Sequence, residues 1–174
     1  MAFPKLGNRY KPVILPGEKS SELGRGGVGV VNLALDQHSG FLVAIKTLFQ
    51  KLDEDSPIIR KFKIEANIYL GLEHPNIVQL KSPGLIVKDN QIHLVMEHVD
   101  GLTLDKYVEQ VTGPMPLEIC LDRFKQIVSA IGFAHNKRIS IDGYNGVLHL
   151  DIKPNNIFIM PNGSVKVIDY GISQ

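Results

Sequence analysis

The string Gly24-Arg-Gly-Gly-Val-Gly29 runs into Val30, Val31, Leu33 and Leu35, and these apolar residues limit the fold more than the glycines do. A dinucleotide-binding unit needs a helix directly after such a string. Here Val28, Val30, Val31, Leu33 and Leu35 keep a strand-like alternation, which places the glycines in a strand-turn-strand. Lacking Cβ atoms, Gly24, Gly26 and Gly29 let backbone N–H groups approach phosphate oxygens. Taken alone, the string is better accounted for by a plain structural turn.

The β pattern continues on either side. Short β-branched runs from Glu18 to Asp36 and from Phe41 to Leu48 read as an antiparallel meander. Ile77 to Leu80, Gly84 to Val87 and Ile92 to His98 read as further strands, the last two joined by the Lys88-Asp-Asn90 turn. Between them a helix is marked by Ser56 as N-cap, Pro57 at its first position and the acidic run Asp53 to Asp55. Its apolar stripe of Ile58, Phe62, Tyr69 and Leu72 includes Glu65, an inward carboxylate that needs a cationic partner. Pro116 opens a second helix with Leu117, Leu121, Phe124, Val128, Ile131 and His135 on one face. His135 reads there as a hydrogen-bonded core histidine and Cys120 as a small core residue. Ile157 to Met160 and Val165 to Ile168 form a last hairpin over Pro161-Asn-Gly163. Residues 1–17 read as an irregular lead-in, 18–98 as one lobe and 99–174 as another.

Composition narrows the function classes. With 19 basic and 18 acidic residues the chain has no basic footprint for nucleic acid, and no apolar run approaches the roughly 20 residues of a membrane span. The single cysteine cannot close an internal disulfide, and the N-terminus lacks a secretory layout. A cytoplasmic setting is the expectation.

Several polar positions stand where strand ends and loops would deliver them. Lys46 closes the apolar stretch Phe41 to Ile45, and an inward Glu65 is the partner that would hold it. Asn156 and Asp169 flank the open end of the last hairpin, where two hard oxygen ligands suit Mg²⁺ completed by substrate phosphates. Asp151, shortly before Asn156, is placed to accept the proton of an attacking hydroxyl, with Lys153 offsetting phosphate charge. A loop Asp or Asn capping a turn explains any one of these, but not all of them together.

Val43-Ala-Ile-Lys46, His149-Leu-Asp151-Ile-Lys153-Pro-Asn-Asn156 and Asp169-Tyr-Gly171, in that order after the glycine string, resemble the protein kinase superfamily from about Glu18 to Gly171. The form Leu23-Gly-Arg-Gly-Gly-Val-Gly-Val-Val31 looks most like the bacterial eukaryotic-like Ser/Thr kinases. The resemblance implies an α+β, protein-kinase-like fold: a five-stranded antiparallel N-terminal lobe with one main helix, then the first part of a helical C-terminal lobe. It implies ATP and Mg²⁺ as cofactors. Leu23, Gly24, Gly26, Gly29, Val31, Ala44, Lys46, Met96, Glu97, Val99 and Phe158 would surround the nucleotide, and Asn156 and Asp169 would hold the metal. Lys46 would pair with Glu65, and Asp151 and Lys153 would act on the acceptor hydroxyl of a protein Ser or Thr. Tyr69, Leu80, His149 and Tyr170 match the family's internal stack of side chains.

Two positions depart from the pattern. Leu150 replaces the usual arginine before the catalytic aspartate, and Tyr170 stands where phenylalanine is usual. Ile139 to Gly146 extends the spacing ahead of His149 and is expected to bulge as a loop. The sequence stops shortly after Gly171, before the family's activation segment. Weak transfer by this chain alone, exposed apolar surface near Leu121, Phe124, Val128 and Ile131, and a partner or self-association through an incomplete C-terminal lobe are therefore expected. A non-catalytic nucleotide-binding regulator and an interaction module are the rival readings.

Overall fold

The computed structural model describes residues 3–27, 29–51, 66, 70–137 and 146–170. The main helix expected after Ser56, with Glu65 and Tyr69, lies outside the described residues apart from positions 66 and 70, as does most of the expected loop from 139 to 146. The chain divides into two units, Met1–Leu70 with Leu80–His98, and Gly71–Gln79 with Val99–Gln174. Residues 71–79 therefore group with the second unit and not with the strands that flank them in sequence.

The first unit is built on an antiparallel sheet of six described strands, in the order β1-β3-β4-β6-β5 with β2 also on β3. The strands are β1 (Tyr10–Pro12), β2 (Glu22–Arg25), β3 (Gly29–Asp36), β4 (Leu42–Lys51), β5 (Leu80–Lys88) and β6 (Gln91–Glu97). The extra strand over the expected five is β1, which lies inside the supposed irregular lead-in. Its Tyr10 faces Asp36, while Glu22 to Arg25 of β2 face Asn32 to Val30, so β1 and β2 share one edge of β3 end to end. Prolines at 4, 12 and 16 hide this strand in the sequence, but burial explains it. Leu6 and Tyr10 are buried with Ala34, Val43, Ile45 and Val95 on one face of the sheet. Arg9 then clamps the edge, donating from Nε and Nη2 to the Asp36 carboxylate at 2.9 and 2.8 Å. Between β5 and β6, Asp89 and Asn90 both have positive φ, the pair of conformations that a two-residue hairpin turn requires.

The second unit centres on a three-stranded sheet, β7 (Leu102–Thr103), β8 (Ile157–Ile159) and β9 (Val165–Val167), in that order. A short helix, α1 (Leu104–Tyr107), runs into one π-helical turn, and the long helix is α2 (Leu117–Asn136). Ile77, expected in a strand, makes only an isolated bridge to Val167.

α2 packs on its unit through a side other than its apolar stripe, which is exposed as expected at Leu121, Phe124 and Val128, whereas Cys120 and His135 are not the core residues expected. Ala130 and Ala134 are its buried residues, with Ile119, Arg123, Gln126 and Ile127 half-buried beside them. Leu117, Leu121, Phe124 and Val128 are exposed, and so are Cys120 and His135. The reason is steric and polar. Small alanines admit close approach, and Gln126 Oε1 accepts from the Val165 N–H at 2.9 Å and from Asn76 Nδ2 at 3.0 Å. Asn76 Nδ2 also reaches the Val165 carbonyl at 2.8 Å, so one polar group ties helix and hairpin together. No described helix is long and apolar enough to cross a membrane.

Candidate functional site

The sheet of the first unit places one set of expected site residues on a single face. Directly opposed residues in an antiparallel pair point the same way. Val31 opposes Lys46, Leu33 opposes Ala44, and across β6 Lys46 opposes Leu94 and Ala44 opposes Met96. Val31, Ala44, Lys46 and Met96 therefore share a face. The other face carries Val43, Ile45 and Val95 into the packed cluster under Tyr10. Lys46 is only 5% exposed, and a lysine so placed must keep its ammonium paired to remain charged. Its expected partner, Glu65, is outside the described residues. Glu97 ends β6 half-buried, and Leu23 is exposed beside the glycine turn.

The three glycines divide by function. Gly26 donates its N–H to the Gly29 carbonyl at 3.0 Å, closing the turn between β2 and β3. A Cβ on Gly29 would collide with the Thr47 carbonyl of β4, so sheet packing alone demands a glycine there. Gly24 and Gly26 have open space where a Cβ would go and no positive φ that would require glycine. Among the described residues nothing calls for a bare backbone at those two positions. The strand that starts at Gly29 removes the dinucleotide-binding alternative.

The second unit brings the other set together. Pro154–Asn156 is a single 3₁₀ turn leading into β8. The Ile168 N–H donates to the Asn156 carbonyl at 2.9 Å, which puts Asn156 and Asp169 on the two arms of the hairpin's open end. Asp151 is held by its loop. Lys153 Nζ lies 2.7 Å from its Oδ2, and Asn156 Nδ2 donates to the same oxygen at 3.0 Å and to the Asp151 carbonyl at 2.9 Å. The Lys153 contact, followed by the Asn156 amide, lowers the Asp151 pKa below the ordinary carboxylate value, so Asp151 is an ionised acceptor at neutral pH. Both hydrogens of the Asn156 amide are spent on Asp151. Its side-chain oxygen accepts no hydrogen bond among the described residues, so it could serve a cation. Among the described residues no group of three or more His, Cys, Asp or Glu could cage a metal. An Asn oxygen with one carboxylate suits an ion that takes its other ligands from phosphate and water.

His149 sets the loop from beneath. It is buried, its Nε2–H donates to the Ile168 carbonyl at 2.8 Å, and its Nδ1 accepts the Asp151 N–H at 3.3 Å. Those partners assign the neutral tautomer, and burial, the largest influence, lowers its pKa in the same direction. Its ring lies 4.6 Å from that of Tyr170, whose phenol is pushed above its ordinary value by burial. Leu150 has φ +63 and Asp169 has φ +61, a left-handed conformation that costs a non-glycine residue roughly 1 kcal/mol or more. The two strained positions flank the elements that carry Asp151 and Asp169. Asn155 adds a bond to Asp105 of α1 at 3.0 Å. Phe158 of β8 and Val99 are half-buried in this unit. The supports that sequence reasoning missed are Asn76 and Gln126. An amide between Ile119, Ile127, Ala130 and Ala134 on one helix side was the available signal for Gln126, and nothing in the sequence marked Asn76.

The protein kinase domain family matches residues 18–174. A Bacillus subtilis "Serine/threonine-protein kinase PrkC" is 40% identical over 151 residues, covering 87% of this chain and 22% of that protein. A Lactococcus lactis "Probable serine/threonine-protein kinase PknB" is 36% identical over 154 residues, covering 88% and 23%. A Mycobacterium leprae "Serine/threonine-protein kinase PknB" is 34% identical over 173 residues, covering 98% and 25%. The chain thus spans 22–25% of the length of these relatives. With a family match over most of its length and an antiparallel sheet where that family's first lobe should be, the chain belongs to the protein kinase family.

Proposed function

We propose that the chain binds ATP with Mg²⁺ and transfers the terminal phosphoryl group to a Ser or Thr hydroxyl of a protein, in the cytoplasm. The observation that carries this reading is the Asp151 network, a carboxylate kept ionised by Lys153 and Asn156 within a loop that also presents an amide oxygen. Asp151 takes the hydroxyl proton as the substrate oxygen bonds to the γ-phosphorus. The bond from that phosphorus to the bridging oxygen breaks, ADP leaves, and the proton passes from Asp151 to solvent. Lys153, already beside Asp151, offsets negative charge on the phosphoryl oxygens. Asn156 and Asp169 would hold Mg²⁺, which when bound neutralises charge on the β- and γ-phosphates.

In the first unit Lys46, paired with Glu65, binds the α- and β-phosphates. Gly24 and Gly26 bring bare backbone N–H groups to the phosphates, and Gly29 seats the turn on β4. Val31, Ala44, Met96, Leu23 and the backbone of Glu97 receive the adenine. The test is nucleotide affinity by calorimetry and phosphate transfer to a Ser/Thr-rich acceptor protein, each with and without Mg²⁺. Magnesium-dependent binding with transfer supports the proposal. Binding without transfer indicates a nucleotide-binding regulator, and no binding an interaction module.

A further inference from the structure

The outer edge of β9 is completed by side chains. Ser164, Lys166 and Ile168 turn their backbone groups towards β8, where the Met160 N–H donates to the Ser164 carbonyl and the Ile168 N–H to the Asn156 carbonyl, both at 2.9 Å. Val165 and Val167 therefore face the other way. At Val167 the partner is backbone: its N–H donates to the Asn76 carbonyl at 2.8 Å and its carbonyl accepts the Val78 N–H at 2.9 Å, around the parallel bridge to Ile77. One step back, at Val165, the same parallel ladder would need the His74 carbonyl and the Asn76 N–H. Both are spent in the turn that precedes Ile77, the His74 carbonyl on the Ile77 N–H and the Asn76 N–H on His74 Nδ1, each at 3.1 Å. Two amide side chains supply what is missing. Gln126 Oε1 accepts the Val165 N–H, and Asn76 Nδ2 donates to the Val165 carbonyl. The amides also bond each other, and Asp122 Oδ2 accepts from Gln126 Nε2 at 3.0 Å, which turns the Gln126 oxygen towards β9.

Resting on the function proposed above, we infer that Asn76 and Gln126 are positioning residues for Asp169, the carboxylate that would hold Mg²⁺. β9 is three residues long, and a hairpin of that size is not stable by itself. Asp169 lies two residues beyond Val167 with φ +61, a conformation that persists only where the surrounding backbone is fixed. Leaving the Val165 N–H and carbonyl unpaired would let the edge of β9 open locally, and the displacement would pass along the chain to Asp169. Asn76 and Gln126 act through the backbone of β9. Their loss therefore weakens the hold on the metal and leaves the phosphate and adenine contacts of the first unit intact.

Calorimetric titration of the 174-residue chain with ADP, without Mg²⁺ and at a series of Mg²⁺ concentrations, tests the inference, with amide exchange read residue by residue and circular dichroism confirming each fold. Gln126→Met removes the acceptor at nearly constant volume, and Asn76→Ala removes the donor. Each should raise the Mg²⁺ concentration needed for half of the affinity gain by roughly three- to tenfold, the worth of about one hydrogen bond, with metal-free ADP affinity unchanged. Exchange protection at Val165 and Val167 should fall while that at Leu33 of β3 stays. Gln126→Glu combined with Asp122→Asn keeps an accepting oxygen for Val165 and moves the donor to position 122, so it should restore the wild-type Mg²⁺ dependence. Should Gln126→Met fail to fold, Asn76→Ala and this paired exchange carry the test. Folded variants with wild-type Mg²⁺ dependence overturn the inference alone, as does a paired exchange no better than Gln126→Met. A wild type whose ADP binding is indifferent to Mg²⁺ overturns the functional reading, and the inference with it.

Discussion

The two units solve the same problem, holding a few charged groups in fixed positions, by opposite means. The first uses long strands: β3 and β4 are paired over seven registered positions, and the charged Lys46 rides on a face whose reverse side is sealed by Leu6 and Tyr10. The second uses two three-residue strands, a 3₁₀ turn and a network of side-chain hydrogen bonds through Asn76, Gln126, Asn156 and His149. A continuous ladder places a residue by register. A loop must place it by particular polar contacts, and here it also accepts strain at Leu150 and Asp169. The first arrangement suits binding and the second suits chemistry, because a reacting carboxylate needs partners that set its charge as well as its position.

The largest effect expected from this contrast is a split between binding and transfer. Asp151→Asn, in the second unit, should lower phosphate transfer by on the order of 10² to 10⁴ with nucleotide affinity unchanged. Lys46→Met, in the first, should weaken nucleotide binding itself. Titration calorimetry and a single-turnover transfer assay on both variants check this. Equal loss of affinity in the two would erase the proposed division of labour.

How much the sequence disclosed runs along the same divide. Strand positions from Gly29 to Asp36, the Asp89-Asn90 turn and the hairpin ahead of Asp169 were legible, because the period of two and the turn residues are local signals. The motifs at Lys46, Asp151, Asn156 and Asp169 were legible as candidates because their order and spacing are recorded in the chain. Two things were not. β1 was lost because Pro12 interrupts a run of only three residues whose stability comes from Tyr10 and Arg9 meeting Ala34 and Asp36, distant in sequence. The side through which α2 packs was not legible, and Cys120 and His135 were misread as core, because both sides carry apolar residues. Periodicity finds the larger stripe, while packing chose the alanines and Gln126.

The exposed stripe of α2 supplies a stability test of intermediate size. Ile45, fully buried in the first unit, should lose about 2 to 5 kcal/mol of unfolding free energy on replacement by Ala. Phe124→Ser, a larger change in hydrophobicity but on the exposed stripe of α2, should stay within about 0.5 kcal/mol. Urea denaturation of both variants gives the comparison. A Phe124→Ser cost matching that of Ile45→Ala would mean that the stripe is covered within the monomer.

The smallest effect concerns acid, and it belongs to the first unit alone. Arg9, bonded through two nitrogens, holds the nearly buried Asp36 carboxyl at about 2, against an ordinary 3.8. A carboxylate whose pKa is lower in the folded state stabilises the fold fully above its unfolded value and loses that contribution as pH falls through the folded value. The window therefore runs from about pH 4 down to about pH 2. The full shift corresponds to about 2 kcal/mol, and partial exposure of Arg9 brings the expected figure to roughly 1 to 2 kcal/mol. Other carboxyl groups titrate in the same range, so the informative quantity is the stability difference between wild type and Asp36→Asn. It should be largest near neutral pH and shrink towards zero as pH approaches about 2, because a protonated Asp36 and an asparagine then present similar uncharged groups to Arg9. Amide exchange should locate the loss in β1 and β3 and leave β9 unaffected. A difference that stays constant across the whole range would show that Asp36 contributes through shape and hydrogen bonding, with its charge immaterial.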